Sequence, residues 1–199
     1  MIISDGNVFK DKTGRQISIS ITLDLKDEYI LKTFKEVLQT NTSINYDRRG
    51  CGQIAIRSNI MAKDLLQYGV IPRKSCKTYL PILSEKMMPH LVRGIFDGDG
   101  SIIAKPSPNK NGHNRFLHSI SFCGTHKLME DISNYIFKYL KLEQKPTIYD
   151  YKNRQLSELK IQNIKDMKTF GDWIYNCSTI YLNRKRDIYN NFLEHYNLN

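Results

Sequence analysis

The feature that most constrains this 199-residue chain is that it repeats itself. "IISDGNV", residues 2–8, returns as "IFDGDGSI", residues 95–102, which sets Asp5 against Asp99 at a spacing of 94. "SIS" at Ser18–Ser20 returns at Ser119–Ser121 at a spacing of 101, and "IPRKS" with Arg73 and Lys74 returns as "YLNRKR" with Arg184 and Lys185 at a spacing of 111. The order is kept and the spacing grows, as it would if the second copy carried longer loops such as "KPSPNKNGHN", residues 105–114. Two copies of one module are therefore expected, residues 1–86 and 87–199.

Within each copy the periodicities agree. Ile17, Ile19, Ile21 and Leu23 alternate with Ser18, Ser20 and Thr22, the period of a strand with one apolar and one polar face. Ile54 and Ile56 alternate with Gln53, Ala55 and Arg57 behind the turn "DRRGCG"; Ile120, Phe122, Leu159 and Ile161 take the apolar side in the second copy. Helical spacing predicts helices over Asp27–Gln39, Asn59–Gln67, Pro89–Phe96 and His126–Leu140, and one long C-terminal helical region from Ile164 to Tyr196. Helix, hairpin, helix, hairpin, helix in each copy is an α+β module with antiparallel sheet.

Thirty Lys and Arg against twenty Asp and Glu give a net charge of +10, which points to a polyanionic partner. The polar strand faces and their turns supply Lys10, Lys12, Arg15, Ser18, Ser20, Arg48, Arg49, Gln53, Arg57, Lys105, Arg115, Ser119, Ser121, Lys152, Arg154 and Lys160. A β-ribbon carrying such side chains fits the major groove and reaches both phosphates and base edges. Four cysteines without a C-x-x-C pair argue against a zinc site and for reduced thiols. Neither a signal peptide nor an apolar membrane-length stretch stands out, so an intracellular chain, in cytoplasm or organelle matrix and away from membranes, is expected.

"LVRGIFDGDGSI" resembles the signature of the LAGLIDADG homing endonucleases, and "MIISDGNV" resembles the last part of a first copy of it. "IPRKS" and "STIYLNRKR" match the basic segments of that family late in each repeat, so the resemblance covers nearly the whole chain. It implies two pseudo-symmetric αββαββα repeats in a monomer, each with a four-stranded antiparallel sheet forming a DNA-binding saddle, packed through the motif helices. It implies a site-specific double-strand DNA endonuclease with a long recognition site, using Mg²⁺ or Mn²⁺. Asp5 and Asp99 become the metal-binding carboxylates, with the neighbouring Ser4 and Gly98 as further metal positions. Lys74 and Lys185 become the groups that polarise solvent near the metal, or else phosphate contacts in a basic run with Arg73, Lys77, Arg184 and Arg186. Asp97 matches a non-catalytic acidic position where the first copy has Ile3. Asp24 lies near a second polar position, against Gly124 in the other copy.

Set against this are a non-cleaving member of the same family acting as an RNA-splicing maturase on intron RNA or as a DNA-binding regulator, a truncated inactive relic, and a glycosyltransferase using Asp97-x-Asp99. The first motif begins at Met1 without its leading turns, so either a longer reading frame upstream or a truncated relic is expected. Two mutually repelling carboxylates favour the nuclease.

Overall fold

The computed structural model describes residues 4–10, 16–70, 79–108, 114–152 and 155–198, without the side chains of Lys10 and Asn114. It divides into two compact units, Met1–Pro81 and Ile82–Asn199. The chain is α+β, with the same topology in each unit.

In the first unit, β1 (Gly6–Lys10), β2 (Ile17–Asp24), β3 (Asn45–Tyr46) and β4 (Cys51–Arg57) form an antiparallel sheet in the order β1-β2-β4-β3. Helices α1 (Glu28–Val37) and α2 (Asn59–Gln67) are interleaved with these strands. Val8, Ile19, Ala62 and Val70 form a buried cluster, with Ile17, Met61 and Leu65 against it. Helix α2 starts where Ser58 accepts a hydrogen bond from the Met61 N–H, satisfying a donor that a helix leaves unpaired at its start.

The second unit opens with α3 (Met88–Asp99), followed by β5 (Gly100–Pro108), β6 (Asn114–Gly124), α4 (His126–Leu140), β7 (Thr147–Asp150), β8 (Ser157–Ile161), α5 (Ile164–Tyr175) and α6 (Asn183–His195). Its sheet runs β5-β6-β8-β7. Phe96 of α3, Phe122 of β6 and Phe170 of α5 meet with ring centroids 5.5 to 6.3 Å apart and knit those elements into one core. Leu128, Met129, Ile132, Ser133 and Ile136 line the buried side of α4 at helical spacing.

The strand registers repeat residue for residue. Gly6 faces Ile21 where Gly100 faces Phe122, and Ser20 faces Ala55 where Ser121 faces Lys160. Asp24 caps the turn after β2 and Thr125 caps α4 after β6, each accepting from a backbone N–H. Thr125, not Gly124, is therefore the counterpart of Asp24, which corrects the expected pairing.

Two helices differ from the periodicity reading. The motif helix does not stop before its glycines: α3 runs through Gly98 and ends at Asp99. The long C-terminal region is two helices, broken after Tyr175, where Asn176 leaves the helix and Cys177 takes a left-handed φ of 57°. Gly171 allows α5 and α6 to pack closely, since a Cβ there would lie 2.1 Å from the Tyr189 ring. No described helix is long and apolar enough to cross a membrane.

Candidate nucleic-acid interface and motif-helix site

Residues directly opposite each other in an antiparallel pair share a face of the sheet. In the second unit Ile102, Ile120, Phe122, Leu159 and Ile161 take the core face. The other face carries Ser101, Ile103, Lys105 and Ser107 on β5, Arg115, Leu117, Ser119, Ser121 and Cys123 on β6, Glu158 and Lys160 on β8, and Thr147 and Tyr149 on β7. Lys105, Arg115, Ser119, Ser121 and Lys160, named from the sequence, thus fall together. In the first unit Asn7, Ser18, Ser20, Thr22, Asn45, Gln53 and Arg57 share the open face in the same way.

Burial sorts these residues. Ser18, Ser20 and Ser119 are each more than nine-tenths covered, which leaves longer neighbours such as Arg57, Gln53, Lys105 and Arg115 as the groups an approaching groove would meet. Lys10 ends β1 opposite Ile17. Arg48 and Arg49 lie in the exposed turn between β3 and β4, where Arg49 is tied to Asp47 by its Nε at 2.8 Å. Lys152 is exposed beyond β7. Lys12, Arg15, Lys74 and Arg154 lie outside the described residues. The sequence reading missed Asn7, Asn45, Thr147, Tyr149 and Glu158. Once β8 is paired with β6, simple alternation along β7 and β8 finds the last three.

At the start of β5 this face meets the end of α3, whose two aspartates have opposite surroundings. Asp97 is 3% exposed, accepts a bond from the backbone of Leu182, and has no hydrogen-bond partner on Oδ1 among the described residues. Burial pushes its carboxyl up to about 6 against the pull of Lys185 and Arg93. Asp99, one half-turn on, is exposed. Asp5 and Ser4 occupy a half-buried turn leading into β1.

The basic residues around α3 act on backbone. Lys185, on α6 and 4% exposed, donates to the carbonyls of Phe96 at 2.6 Å, Asp97 at 2.8 Å and Gly100 at 2.6 Å. An ammonium has three N–H donors, enough for these three carbonyl groups around the helix end. Lys185, which the resemblance sets near the metal as a group polarising solvent, is buried against the negative end of the motif helix, where a cation is favoured. Arg93 donates to Ile174 O at 2.8 Å and Ile180 O at 2.9 Å, with His90 Nδ1 at 2.9 Å. Burial and the Arg93 charge hold the His90 imidazole below its ordinary range, in keeping with a ring nitrogen that accepts. Arg186 bonds to Tyr175 O at 3.2 Å and lies over the Tyr175 and Tyr181 rings.

Among the described residues no three His, Cys, Asp or Glu side chains gather into a metal-holding group. The chemistry of α3 nevertheless separates its carboxylates: Asp99 offers an accessible hard oxygen donor of the kind Mg²⁺ takes, whereas Asp97 is buried and held toward its protonated form.

No family model and no curated protein matches the sequence. Solved structures do match the fold. A LAGLIDADG meganuclease, I-AabMI, bound to uncleaved DNA superposes with a TM-score of 0.68 at 14% identity, over 99% of this chain and 88% of the other. The I-SmaMI LAGLIDADG homing endonuclease bound to cleaved DNA gives 0.63 at 15% identity, over 98% and 87%. I-SmaMI bound to its uncleaved target in the presence of calcium ions gives 0.64 at 14%, over 98% and 89%. The chain has the fold of the single-chain LAGLIDADG meganucleases.

Proposed function

We propose that this chain is a LAGLIDADG homing endonuclease: a monomeric, intracellular protein that lays the open faces of its two sheets along double-stranded DNA and hydrolyses a phosphodiester bond in each strand. The observation that carries the reading is the continuity of β5 with the motif helix. The open face with Lys105, Arg115, Ser121 and Lys160 begins at Ser101, two residues after exposed Asp99, so a phosphate backbone tracked by the basic strands is led to a carboxylate. The neighbours in fold hold DNA, one of them with calcium ions, which supports the same partner here.

Asp99 and its repeat counterpart Asp5 are the residues we assign to divalent metal, Mg²⁺ in the first instance. A bound divalent ion supplies an activated water and neutralises charge on the phosphate. The chain's own contributions are distinct. Asp99 presents the oxygen ligand, Lys185 holds the helix end that carries it, and Arg57, Lys105, Arg115 and Lys160 position the duplex. Lys74, the first-repeat counterpart of Lys185, belongs to the same proposal.

The test is a plasmid carrying the element-free insertion locus, incubated with protein and Mg²⁺. Linear product at one site is expected. Binding without cutting in Mg²⁺ or Mn²⁺ would overturn the nuclease reading in favour of a DNA-binding regulator, and binding confined to intron RNA would favour a maturase.

A further inference from the structure

At two neighbouring equivalent positions the open faces carry groups of different chemistry. In the second unit Glu158 stands opposite Cys123 and Lys160 opposite Ser121; in the first, Gln53 stands opposite Thr22 and Ala55 opposite Ser20. By register, Gln53 corresponds to Glu158 and Ala55 to Lys160. Each pair is two residues apart on one strand and shares its open side.

Glu158 is not a loose surface acid. Its Oε2 accepts from the Tyr151 hydroxyl at 3.0 Å, and its Oε1 lies 3.5 Å from Lys160 Nζ, which in turn sits 5.8 Å from the Tyr149 ring centroid. A carboxylate on a face built for phosphates loses affinity by repulsion unless it meets a donor, and the donors of the major groove are the amino groups of the bases. Ionised carboxylate oxygens carry about four acceptor sites, so the Tyr151 bond leaves capacity for one more. The neighbouring ammonium supplies the opposite polarity.

A C·G pair shows that pattern on its major-groove edge: the cytosine N4 donor lies beside guanine O6 and N7, and Glu to cytosine and Lys to guanine are among the standard side-chain pairings. The first unit offers different groups. The Gln53 amide is held by its Nε2 donating to Thr22 Oγ1 at 2.9 Å. A held amide suits the N6 and N7 of adenine, and the Ala55 methyl suits the thymine methyl of the same pair.

We infer that Glu158 with Lys160 reads a C·G pair in one half of the target, while Gln53 with Ala55 reads an A·T pair at the equivalent place in the other half. The target then departs from palindromy at that position. The inference rests on the DNA-binding reading above and adds which bases two positions select.

The experiment is selection of bound duplexes from a pool randomised across the site, with the full-length protein in EDTA so that cutting plays no part. It is run on wild type, Glu158→Gln and Gln53→Glu. Wild type should enrich C·G at one position and A·T at its symmetry mate. Glu158→Gln should move the first preference from C·G toward A·T by about tenfold, the usual worth of one base contact, and leave the second alone. Gln53→Glu should do the converse. Total affinity of each variant for its own best site, within a fewfold of wild type, shows that the sheet is intact. Enrichment that neither substitution changes, or wild-type preferences for other base pairs, would overturn the inference while leaving DNA recognition standing. A pool from which no duplex is enriched would overturn both.

Discussion

The Lys185 ammonium lies 2.6 Å from the carbonyl oxygen of Phe96, in the last turn of the helix that ends at Asp99. A residue of α6 thus caps a helix begun almost a hundred positions earlier. Its bond to Asp97 O satisfies a carbonyl that a helix leaves unpaired at its C-terminus, at the end where the dipole favours a cation, and its bonds to Phe96 O and Gly100 O tie that end to the start of β5. Replacing it by methionine keeps bulk and removes the charge. Lys185→Met should lower stability by about 2–4 kcal/mol, the cost of uncapping buried carbonyls once bonded to a charge, measured by urea unfolding at neutral pH. A loss below about 0.5 kcal/mol would show that the cap is dispensable.

Asp97 behaves in the opposite sense. Its folded carboxyl, raised to about 6 from 3.8, binds a proton more tightly than the unfolded chain does. Folding stability from this group is therefore greatest below pH about 4, falls as pH rises to about 6, and is flat above. Asp97→Asn should remove that slope and make the protein more stable at pH 7, by up to about 3 kcal/mol. Thermal unfolding of both proteins in EDTA from pH 4 to 7 checks it. A wild-type stability that rises between pH 4 and 6 while the variant stays flat would contradict the assignment.

Exposed basic residues on the open faces should act through phosphate. Arg57→Ala and Arg115→Ala should each weaken binding across all sequences and reduce the slope of log affinity against log salt by about one. Arg93→Ala should leave the salt slope unchanged and reduce stability, because its guanidinium bonds to the carbonyls of Ile174 and Ile180. Filter binding between about 50 and 200 mM salt separates the two classes.

Gly171 sets how closely α5 and α6 approach. Gly171→Ala places a methyl 2.1 Å from the Tyr189 ring, whose hydroxyl shares its one proton between Lys168 O at 2.9 Å and Asp172 Oδ1 at 2.8 Å, so the ring does not move away without weakening that bond. A loss of about 1–3 kcal/mol is expected despite the better helix propensity of alanine, read from chemical denaturation.

How much of this was legible depends on whether the cause lay nearby in the chain. The limits of α2 and α4 were readable because Ser58 and Thr125 are side-chain caps set directly before amphipathic runs. The open-face residues followed from alternation, which needs only the strand itself. The end of α3 was not readable: Asp97-Gly98 carries a turn signature, and what keeps it helical includes the Lys185 cap from far downstream. Lys185 itself stood in a basic run with nothing local to mark it as buried. The break after Tyr175 carries no proline or glycine, and it shows only in the left-handed Cys177 and in Arg93 bonding Ile174 O and Ile180 O across the gap. Only the family resemblance separated Asp97 from Asp99 in the sequence, and in the structure burial separates them, Asp97 being buried and Asp99 exposed.

Exposed Asp99, at the end of the motif helix, is the residue proposed to carry the chemistry of strand cleavage. The most direct measurement compares wild type with Asp99→Asn for cutting of the insertion locus in Mg²⁺, alongside binding of the same DNA in EDTA. The variant should not cut, and its affinity should equal or exceed that of wild type, because a charge opposing phosphate has been removed. A variant that cuts at the wild-type rate would contradict it.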